Sequence, residues 1–448
     1  MHPSRSIRGR LSGLLSGRTV VLAVSGSIAA IEAPKIAREL IRHGADVRAV
    51  MSPDATRIVT PEALTFATGH PTVVELTGGV EHVTLLGPGE GRADLLLVAP
   101  ATANTLAKIA HGIDDTAVTS FASVALGGGV PVLVAPAMHG DMGRNPAIRE
   151  SLDRLRAWGV EVVPPKMEEG EAKLAGPEEV AAAVLRRLAR GPWARRTVVV
   201  VGGASREAID EVRTVSNESS GATAVAIAAQ AAHRGADVEL WLGAVHVPVP
   251  SYVTTIPWKS LADLRSLIRS RAATLRHAAA VLVPAALADY TLTPRPGKIP
   301  SRENPELVIR LTRAAKILPD LRRAAPPPTR LVGFKLEASG DPAVLAAEAE
   351  RLVAENRLDV GVANDATAMG SANTHLLVVT ARGTRHHLEG PKWRVAGTLL
   401  DEVGRTLDTG VPGPGRRASA PRARGRTAGK SEAAAPNSAR RRRPTPRR

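Results

Sequence analysis

The sequence carries the same local pattern twice, and this repetition limits the fold more than any other feature. Residues 18–27 ("RTVVLAVSGS") have the character of an aliphatic strand that runs into a turn of small residues, and residues 196–205 ("RTVVVVGGAS") repeat that character. A helical stretch follows each turn, and then Gly-Ala-Asp-Val opens a second strand. Strand, turn, helix and strand make a βαβ unit. We therefore predict an α/β protein with two Rossmann-like domains in tandem, each a doubly wound, mostly parallel sheet.

The repeat and the distribution of charge divide the chain into four segments. We predict a basic N-terminal extension (residues 1–17), a first domain (18–190), a second domain (191–410) and a disordered basic tail (411–448). The tail has twelve Lys or Arg and a single acidic residue, and it lacks apolar periodicity. The net charge of +16 therefore belongs mainly to the two ends of the chain. A nucleic-acid partner is not expected, except through the tail.

The composition excludes several classes of protein. The chain has no cysteine, which excludes disulfides, thiolate metal sites and cysteine nucleophiles. Its most apolar stretch, residues 118–138, contains glycines and prolines, so we interpret it as a helix end and a buried strand. The N-terminus shows no signal-peptide pattern. We expect a cytoplasmic protein without a membrane partner.

In the first half, polar residues follow the predicted strands. Ser25, Gly26 and Ser27 form the first turn, where small residues let backbone N–H groups approach a phosphate. Taken alone, such a turn is equally well a plain tight turn. "PATANT" places Thr102 and Asn104 just past another strand. Ligands of open α/β sheets bind at these carboxyl ends, so the two segments predict a shared cleft.

Two histidines add to this cleft. "VEHVTL" contains His82, and "PAMHGDM" contains His139 and Met142. A single histidine is more often structural. Because both histidines and the asparagine fall at predicted loop or strand-end positions, we expect their side chains to converge.

In this order, the segments resemble the homo-oligomeric flavin-containing cysteine decarboxylases, over about residues 18–185. The resemblance implies FMN as the cofactor, His82 as the catalytic histidine, and His139 and Met142 as substrate-binding residues. The family chemistry oxidises the substrate thiol with the flavin, releases CO₂ and reduces the enethiol product. The residues that the resemblance assigns to the flavin are Ser25, Gly26, Ser27, Ser52, Thr102 and Asn104.

The chain departs from many members of that family at two places. Many have asparagine where His139 stands, and many have an Ala-Cys-Gly loop where this chain has "EGEAKLAGPEE" (residues 169–179). Both departures look like the pattern of archaeal members. Lys173 is our candidate for the proton donor, provided that burial lowers its pKa. The alternative is a solvated loop lysine.

In the second half, residues 202–221 ("GGASREAIDEVRTVSNESSG") are the densest polar and glycine-rich segment. They offer N–H and hydroxyl donors to a phosphate, and Arg206 and Arg213 offer forked guanidinium groups. The alternative is a capped surface loop. Further on, "PAALADYTLTPRPGKIP" places Asp289 after a strand and Lys298 in a loop. A carboxylate and a lysine so placed suit a metal–nucleotide complex.

"SREAIDEVRTVSNESSG", "AALADY", "GKI", "VGFKLE" and "VAND" come in the order found in phosphopantothenate–cysteine ligases, which the chain resembles over about residues 196–408. The resemblance implies that Asn217 stabilises or turns over an acyl-cytidylate. It also implies that Asp289 and Lys298 bind CTP, Asp289 with Mg²⁺ and Lys298 assisting attack. The other implied nucleotide contacts are Ala315, Lys316, Ile317, Leu318 and Phe334.

One part of the ligase pattern is missing. Bacterial members often have lysines just before the "AND" strand for the triphosphate, and this chain has "ERLVAENRLD" there (residues 350–359). Arg351 or Arg357 is our candidate replacement. The preference for CTP is therefore less firmly predicted than the ligase chemistry.

Taken together, the two resemblances predict a bifunctional enzyme of coenzyme A biosynthesis, in an archaeal-like variant. Its expected substrates are 4′-phosphopantothenate, cysteine and CTP. The resemblances imply a homo-oligomer of trimeric flavin domains and dimeric ligase domains, and a dodecamer is one assembly that satisfies both. Three alternatives remain: a ligase with an inactive flavin domain, a binding protein whose tail docks RNA, and an NAD-dependent dehydrogenase. The last is disfavoured because neither turn has G-x-G-x-x-G with a ribose-binding acid.

Overall fold

The computed structural model describes residues 2–168, 171–302, 306–368 and 370–408. The tail predicted to be disordered, residues 411–448, lies outside the described residues. Within these ranges the chain forms two main sheets, one in each half, with helices on both faces. This arrangement confirms the predicted α/β class with two mostly parallel sheets.

The first sheet has five parallel strands in the order β2-β1-β3-β4-β5. Its central strands are aliphatic and buried on both faces, as parallel strands covered by two helical layers must be. Alternate residues of β1 enter different cores: Val20 and Leu22 pack on one face, and Val21 and Ala23 pack on the other. The strands are β1 Thr19–Val24, β2 Asp46–Met51, β3 Leu95–Ala101, β4 Val132–Pro136 and β5 Glu161–Val162.

Ten helices and a small hairpin complete the described part of the first half. The hairpin pairs β6 Lys166–Glu168 with β7 Glu171–Lys173. The predicted helix end and strand within residues 118–138 are the end of α7 and strand β4. The helices are α1 Pro3–Ile7, α2 Ala33–Arg42, α3 Pro53–Thr56, α4 Pro61–Thr68, α5 Glu81–Leu86, α6 Ala103–His111, α7 Ala117–Gly127, α8 Gly140–Arg144, α9 Pro146–Ala157 and α10 Pro177–Leu188, with a 3₁₀ turn at Ile28–Glu32.

The basic N-terminal segment is packed onto this half. Ile7 and Leu15 are buried in one of its cores, and the Arg8 guanidinium pairs with the Asp46 carboxylate at 2.7 Å. The side chains that made this segment look like a charged extension therefore surround a small apolar contact.

The second sheet has eight strands in the order β12-β11-β8-β13-β16-β17-β18-β19. The first six are parallel, and the last two run antiparallel to their neighbours. Counted in chain order, the six parallel strands follow the 3-2-1-4-5-6 order of the Rossmann fold. The strands are β8 Thr197–Gly202, β11 Asp237–Leu242, β12 Thr254–Pro257, β13 Ala280–Val283, β16 Arg330–Glu337, β17 Val360–Asp365, β18 Asn373–Thr380 and β19 Arg385–Pro391.

Two short hairpins stand outside the second sheet: β9 Arg206–Ala208 with β10 Thr214–Ser216, and β14 Tyr290–Thr291 with β15 Thr312–Arg313. The antiparallel edge strand β19 was not predicted, because its residues 385–391 are mostly polar and Leu388 is its one buried residue. The helices are α11 Ala222–His233, α12 Leu261–Ser270, α13 Ala272–His277, α14 Leu318–Ala324, α15 Pro342–Asn356 and α16 Lys392–Asp408, with a 3₁₀ turn at Ala366–Ala368.

The two halves meet where α10 packs against α11, and His43, which follows α2, joins the same contact. The His43 ring packs edge-on against the His233 ring at a centroid distance of 5.4 Å, and the Tyr252 hydroxyl lies 3.1 Å from His233 Nε2. Burial, followed by the neighbouring His43 and Arg234, lowers the pKa of His233 to about 3. Arg186 and Asp237 close the rim of the junction with an ion pair of 2.8 Å. The imidazoles at the centre are therefore neutral at physiological pH.

Both sheets reverse their strand order next to their first strand. The reversal lies between β1 and β3 in the first sheet and between β8 and β13 in the second. Ligands of open α/β sheets bind in the crevice at this switch point. Among the described helices, none has the length and apolar character needed to cross a bilayer.

Candidate active sites

A pocket of about 360 Å³ opens at the switch point of the first sheet. The turn after β1 supplies Gly26 and Ser27, and the loop after β2 supplies Ser52. The segment after β3 supplies Thr102 and Asn104. The structure thus brings together five of the six residues that the resemblance assigned to the flavin.

Ser25, the sixth, has a different role in this chain. Its side chain is buried, and its hydroxyl donates to the Pro100 carbonyl at 2.7 Å while accepting from the Thr102 N–H at 3.0 Å. These two bonds tie the end of β1 to the end of β3. Ser25 therefore fixes the shape of the pocket without lining it.

Gly26 is required by close packing. A Cβ at this position would lie 2.3 Å from the Asp54 Cβ and 3.1 Å from the Asp54 carbonyl carbon. Any side chain would push the β1 turn away from α3. The neighbouring wall is polar, because Ser27, Ser52 and Thr102 each cap the helical segment that follows.

The pocket has one polar side and one apolar side. Helix starts with free N–H groups and hydroxyls favour an anion on the polar side. Ala137, Met138 and Met142 form the apolar side. These surfaces fit a ligand with a phosphate at one end and a flat apolar ring system at the other.

Eight further residues line this pocket beyond those predicted from the sequence, among them Lys108, Thr116 and Thr119. The Lys108 ammonium pairs with the Asp115 carboxylate at 2.6 Å. Lys108 is four residues after Asn104 on α6, so the two share one helix face. The four-residue spacing from Asn104 is therefore the sequence feature that indicates Lys108 as a lining residue.

The two histidines do not converge in the single chain. His139 is exposed and caps α8, where its Nδ1 accepts from the Asp141 N–H at 3.3 Å, next to the pocket-lining Met138. His82 lies within helix α5, not in a loop as expected, and packs 6.4 Å from the Phe121 ring of α7. Its Nδ1 is buried and has no hydrogen-bond partner among the described residues. The expected cleft therefore contains Asn104 and the neighbours of His139, but not His82.

Lys173 lies on β7, which packs beside α8. Its side chain is 46% exposed and pairs with Glu168 at 3.1 Å. The single chain therefore does not supply the burial on which the proton-donor hypothesis depended.

Asn217 bridges two segments at the second switch point. Its Nδ2 donates to the Ala286 carbonyl at 3.2 Å and so links the segment after β10 to the segment after β13. Nearby, the buried Ser205 hydroxyl accepts from the Ala288 N–H at 2.9 Å. Arg206 is exposed at the start of β9.

Arg213 is bound in part by groups of its own chain. Its Nη1 donates to Asp210 Oδ2 at 2.6 Å and to the Ile299 carbonyl at 3.2 Å. Burial alone would raise the pKa of Asp210, but hydrogen bonds from three backbone N–H groups and from Arg213 lower it to about 2. An internal carboxylate thus holds the Nη1 end of the guanidinium, and the fork proposed for Arg213 stays a prediction for its other two nitrogens.

Asp289 forms an ion pair with Lys316, and both side chains are exposed. Lys316 belongs to the turn that enters α14, in which Ile317 is buried and Leu318 begins the helix. Lys298 is exposed in the loop that follows Gly297. Phe334 is half-buried on β16. The residues that the resemblance assigned to the nucleotide thus come from neighbouring parts of the same sheet edge.

The proposed replacements for the missing lysines do not fit. Arg357 ends α15 just before the amino end of β17, on the opposite edge of the sheet from Asp289. Arg351 pairs with Glu348 one turn earlier on the same helix. Lys335 is better placed, because a Cβ on Gly333 would contact Leu318 at 3.4 Å and Lys335 follows on the same face of β16, toward the carboxyl edge. The expectation for Arg357 is therefore corrected, and Lys335, which pairs with Glu337 at 3.2 Å, lies nearer to that edge of the sheet.

Within the described ranges, no cluster of three or more His, Cys, Asp or Glu side chains would hold a metal ion. Magnesium is commonly held by one or two carboxylates together with substrate phosphates. Asp289 is suited to that arrangement.

Two family models match the chain, one in each half. The Flavoprotein model matches residues 9–189, and the model of the DNA/pantothenate metabolism flavoprotein C-terminal domain matches residues 193–407. Together with the two switch-point sites, these matches define a two-part α/β enzyme whose first half is a flavoprotein.

Relatives match nearly the whole chain. The coenzyme A biosynthesis bifunctional protein CoaBC of Thermococcus kodakarensis is 39% identical over 408 residues, which are 91% of this chain and 100% of that protein. The protein of the same name from Methanocaldococcus jannaschii is 32% identical and covers 90% of this chain and 97% of its own length. A crystal structure of the C-terminal domain of a CoaBC protein covers 49% of this chain and 99% of that one, at 26% identity and a TM-score of 0.39.

The chain belongs to the family of the coenzyme A biosynthesis bifunctional proteins CoaBC. The relatives named above are archaeal, in agreement with the archaeal-like pattern seen in the sequence.

Proposed function

We propose that the second half, residues 191–410, joins cysteine to 4′-phosphopantothenate at the expense of CTP, and that the first half, residues 18–190, decarboxylates the product to 4′-phosphopantetheine with FMN. The observation that carries the proposal is the presence of two separate polar sites at the two switch points of one chain.

In the ligase half, the carboxylate of phosphopantothenate attacks the α-phosphorus of CTP, and pyrophosphate leaves. The cysteine amine then attacks the acyl carbon, so that the amide forms, CMP leaves and the amine loses a proton. Lys298, Lys316 and Lys335 neutralise phosphate charge as it develops. Asp289 holds Mg²⁺ together with the triphosphate. Asn217, fixed by its bond to Ala286, donates to the acyl-cytidylate.

The remaining contacts of the ligase site come from Arg206 and from apolar residues. Arg206 is exposed at the start of β9 and binds the phosphate of phosphopantothenate. Ala315, Ile317, Leu318 and Phe334 supply apolar and backbone contacts to the nucleotide.

In the decarboxylase half, FMN supplies the two-electron chemistry that oxidises the substrate thiol before CO₂ leaves and reduces the enethiol afterwards. Gly26, Ser27, Ser52 and Thr102 hold its phosphate end at the polar side of the pocket. Asn104 and the methionine wall orient the ring system, and His139 with Met142 contacts the substrate. Lys173 delivers the final proton once a neighbouring surface buries it.

A homo-oligomer completes the first site in this proposal. His82 lies off the pocket in its own chain, while Ile28 (77% exposed) and Ile31 (53%) leave an apolar surface beside the pocket turn. In the second half, Val308 is also 77% exposed. A trimer would bring His82 of one subunit to the pocket of the next, and paired ligase halves would extend the trimers to a dodecamer. A cytoplasmic location is part of the same proposal.

The experiment is mass spectrometry of the products after the protein is mixed with phosphopantothenate, cysteine, CTP and Mg²⁺. We expect phosphopantetheine and CMP. Absence of phosphopantothenoylcysteine and of CMP would overturn the ligase assignment. A reaction that stops at phosphopantothenoylcysteine would support the alternative of a ligase with an inactive flavin half.

Two variants refine this result. Lys173→Ala is expected to stop turnover after CO₂ release, and full turnover would exclude Lys173 as the proton donor. Deletion of residues 411–448 is expected to leave CTP-dependent ligation intact. Loss of ligation on that deletion would favour a role for the tail in the reaction.

A further inference from the structure

The loop that carries Lys298 is bonded to a neighbouring hairpin. We define the Lys298 loop as residues 295–299 and the β9–β10 hairpin as residues 206–216. The Arg295 N–H donates to the Ile209 carbonyl at 2.9 Å, and the Glu211 N–H donates to the Gly297 carbonyl at 3.3 Å. In return, the Gly297 N–H donates to Glu211 Oε1 at 3.2 Å. The position of the Lys298 backbone is therefore set by the hairpin.

Asp210 is the centre of this contact. Its Oδ1 accepts from the Val212 N–H at 2.8 Å and from the Arg213 N–H at 2.7 Å. Its Oδ2 accepts from Arg213 Nη1 at 2.6 Å and from the Ile299 N–H at 3.2 Å. A carboxylate can accept at both oxygens, whereas an amide replaces one acceptor with a donor. Asparagine therefore cannot satisfy both groups of donors.

The hairpin is also fixed to the rest of the site. The buried Glu207 carboxylate accepts from the Leu261 N–H at 2.9 Å and from the Thr291 hydroxyl at 3.2 Å. Ser216 is the residue before Asn217, and its hydroxyl donates to the Ser205 carbonyl at 2.8 Å. One small hairpin thus holds the residue before Asn217 and the residue after Lys298.

We propose that Asp210 is a positioning residue for the ligase reaction: it clamps the Lys298 loop to the β9–β10 hairpin, so that Lys298 and Asn217 keep a fixed spacing across the switch point. Asp210 is only 2% exposed and is neutralised by Arg213, so it does not itself touch the substrates. This inference rests on the ligase function proposed above.

The main test is Asp210→Asn in the full chain, with Asp401→Asn as the control. Asp401 lies on α16, where its exposed carboxylate pairs with Arg234. The control therefore removes one carboxylate charge at a site away from the Lys298 loop. We expect kcat for ligation to fall about 10- to 100-fold in Asp210→Asn, as for a misplacement of about 1 Å, while the KM for CTP changes less. Decarboxylation of added phosphopantothenoylcysteine, measured in the same preparations, should be unchanged.

Limited trypsin digestion measures how accessible the Lys298 loop is to the protease. Cleavage after Lys298 should be faster in Asp210→Asn than in the wild type and in Asp401→Asn. If the wild type is active and Asp210→Asn matches it both in the rate of cleavage after Lys298 and in kcat for ligation, the proposal that Asp210 clamps the loop is wrong. A wild type without ligation would instead overturn the proposed function, so the two failures are distinguishable.

A second pair of variants covers the case in which Asp210→Asn does not fold. Glu211 is exposed, so its replacement does not put the core at risk. Glu211→Ala removes the acceptor of the Gly297 N–H and is expected to lower kcat several-fold, whereas Glu211→Gln keeps an acceptor oxygen and should restore most of that loss. If alanine and glutamine have the same effect, the hydrogen bond to the loop does not set the rate.

Discussion

The two switch-point sites of this chain are built in different ways. The first is a pocket made mainly by turns that follow directly from its strands, with hydroxyls, glycine and methionine in most of its wall and Lys108 from α6 beside them. The second lies among longer excursions, where the β9–β10 hairpin, the Lys298 loop and the turn before α14 contribute charged side chains. A site made by strand ends inherits its shape from the sheet. A site made by excursions needs additional bonds to hold its shape.

This difference matches the chemistry proposed for each half. A flavin carries its own electron chemistry, so the protein mainly has to bind and orient it. Nucleotidyl transfer depends on cations held where negative charge develops. The first site has two charged side chains in its described lining, Asp54 and Lys108, whereas the second has charged side chains on each of its excursions.

The largest effect that we expect separates the two halves. Lys298→Ala should lower kcat for ligation by about 100- to 1,000-fold, because it removes a cation from the developing phosphate charge. Decarboxylation of added phosphopantothenoylcysteine should not change. Product formation followed by mass spectrometry checks both reactions, and Arg276→Ala, an exposed residue of α13, is the matched control. A similar loss in both reactions would mean that the halves do not act separately.

The next effect tests the claim that close packing shapes the first site. Gly26→Ala puts a Cβ against Asp54, and we expect FMN affinity to fall by roughly 5- to 150-fold, as overpacking of about 1–3 kcal/mol would produce. Quenching of flavin fluorescence on titration measures the affinity. Gly127→Ala is the control, because a Cβ there meets open space. Unchanged affinity in Gly26→Ala would show that the β1 turn is not rigid.

The smallest effect concerns the junction between the halves. Because the pKa of His233 is lowered to about 3, the unfolded chain takes up a proton as the pH falls below about 6.5, while the folded chain does not. The contribution of His233 to the free energy of unfolding is thus fully present above about pH 6.5. It decreases toward lower pH, and at pH 5 the free energy of unfolding is lower by about 2 kcal/mol. His43, whose pKa burial also lowers, acts in the same direction.

Urea unfolding at pH 7.5 and pH 5 measures this effect in the wild type and in His233→Gln. The variant should lose less stability between the two pH values, whatever its stability at pH 7.5. The same loss in both proteins would show that the junction histidines are not buried and neutral in solution.

Much of the fold was predictable because parallel strands covered on both faces are aliphatic runs. Residues 95–101 and 132–136 are strands where the sequence predicted them, and small residues follow them at the sheet edge. The edge strand β19 was not predictable, since an exposed antiparallel strand has no such run. The N-terminal segment was misleading because its charges outnumber the two apolar side chains that it buries, Ile7 and Leu15.

The types of residue at the two sites could be predicted more reliably than the contacts that their side chains make. The sequence by itself determined that small and polar residues follow the strands at both switch points, because chain order fixes which residues leave a strand end. Only the tertiary structure decided that Arg213 Nη1 is bound by Asp210 and that Lys335, not Arg357, lies toward the carboxyl ends of the parallel strands. It alone also placed His82 off its own pocket. The physical reason is that ion pairs and sheet edges depend on distances between segments far apart in the chain, and no local pattern encodes those distances.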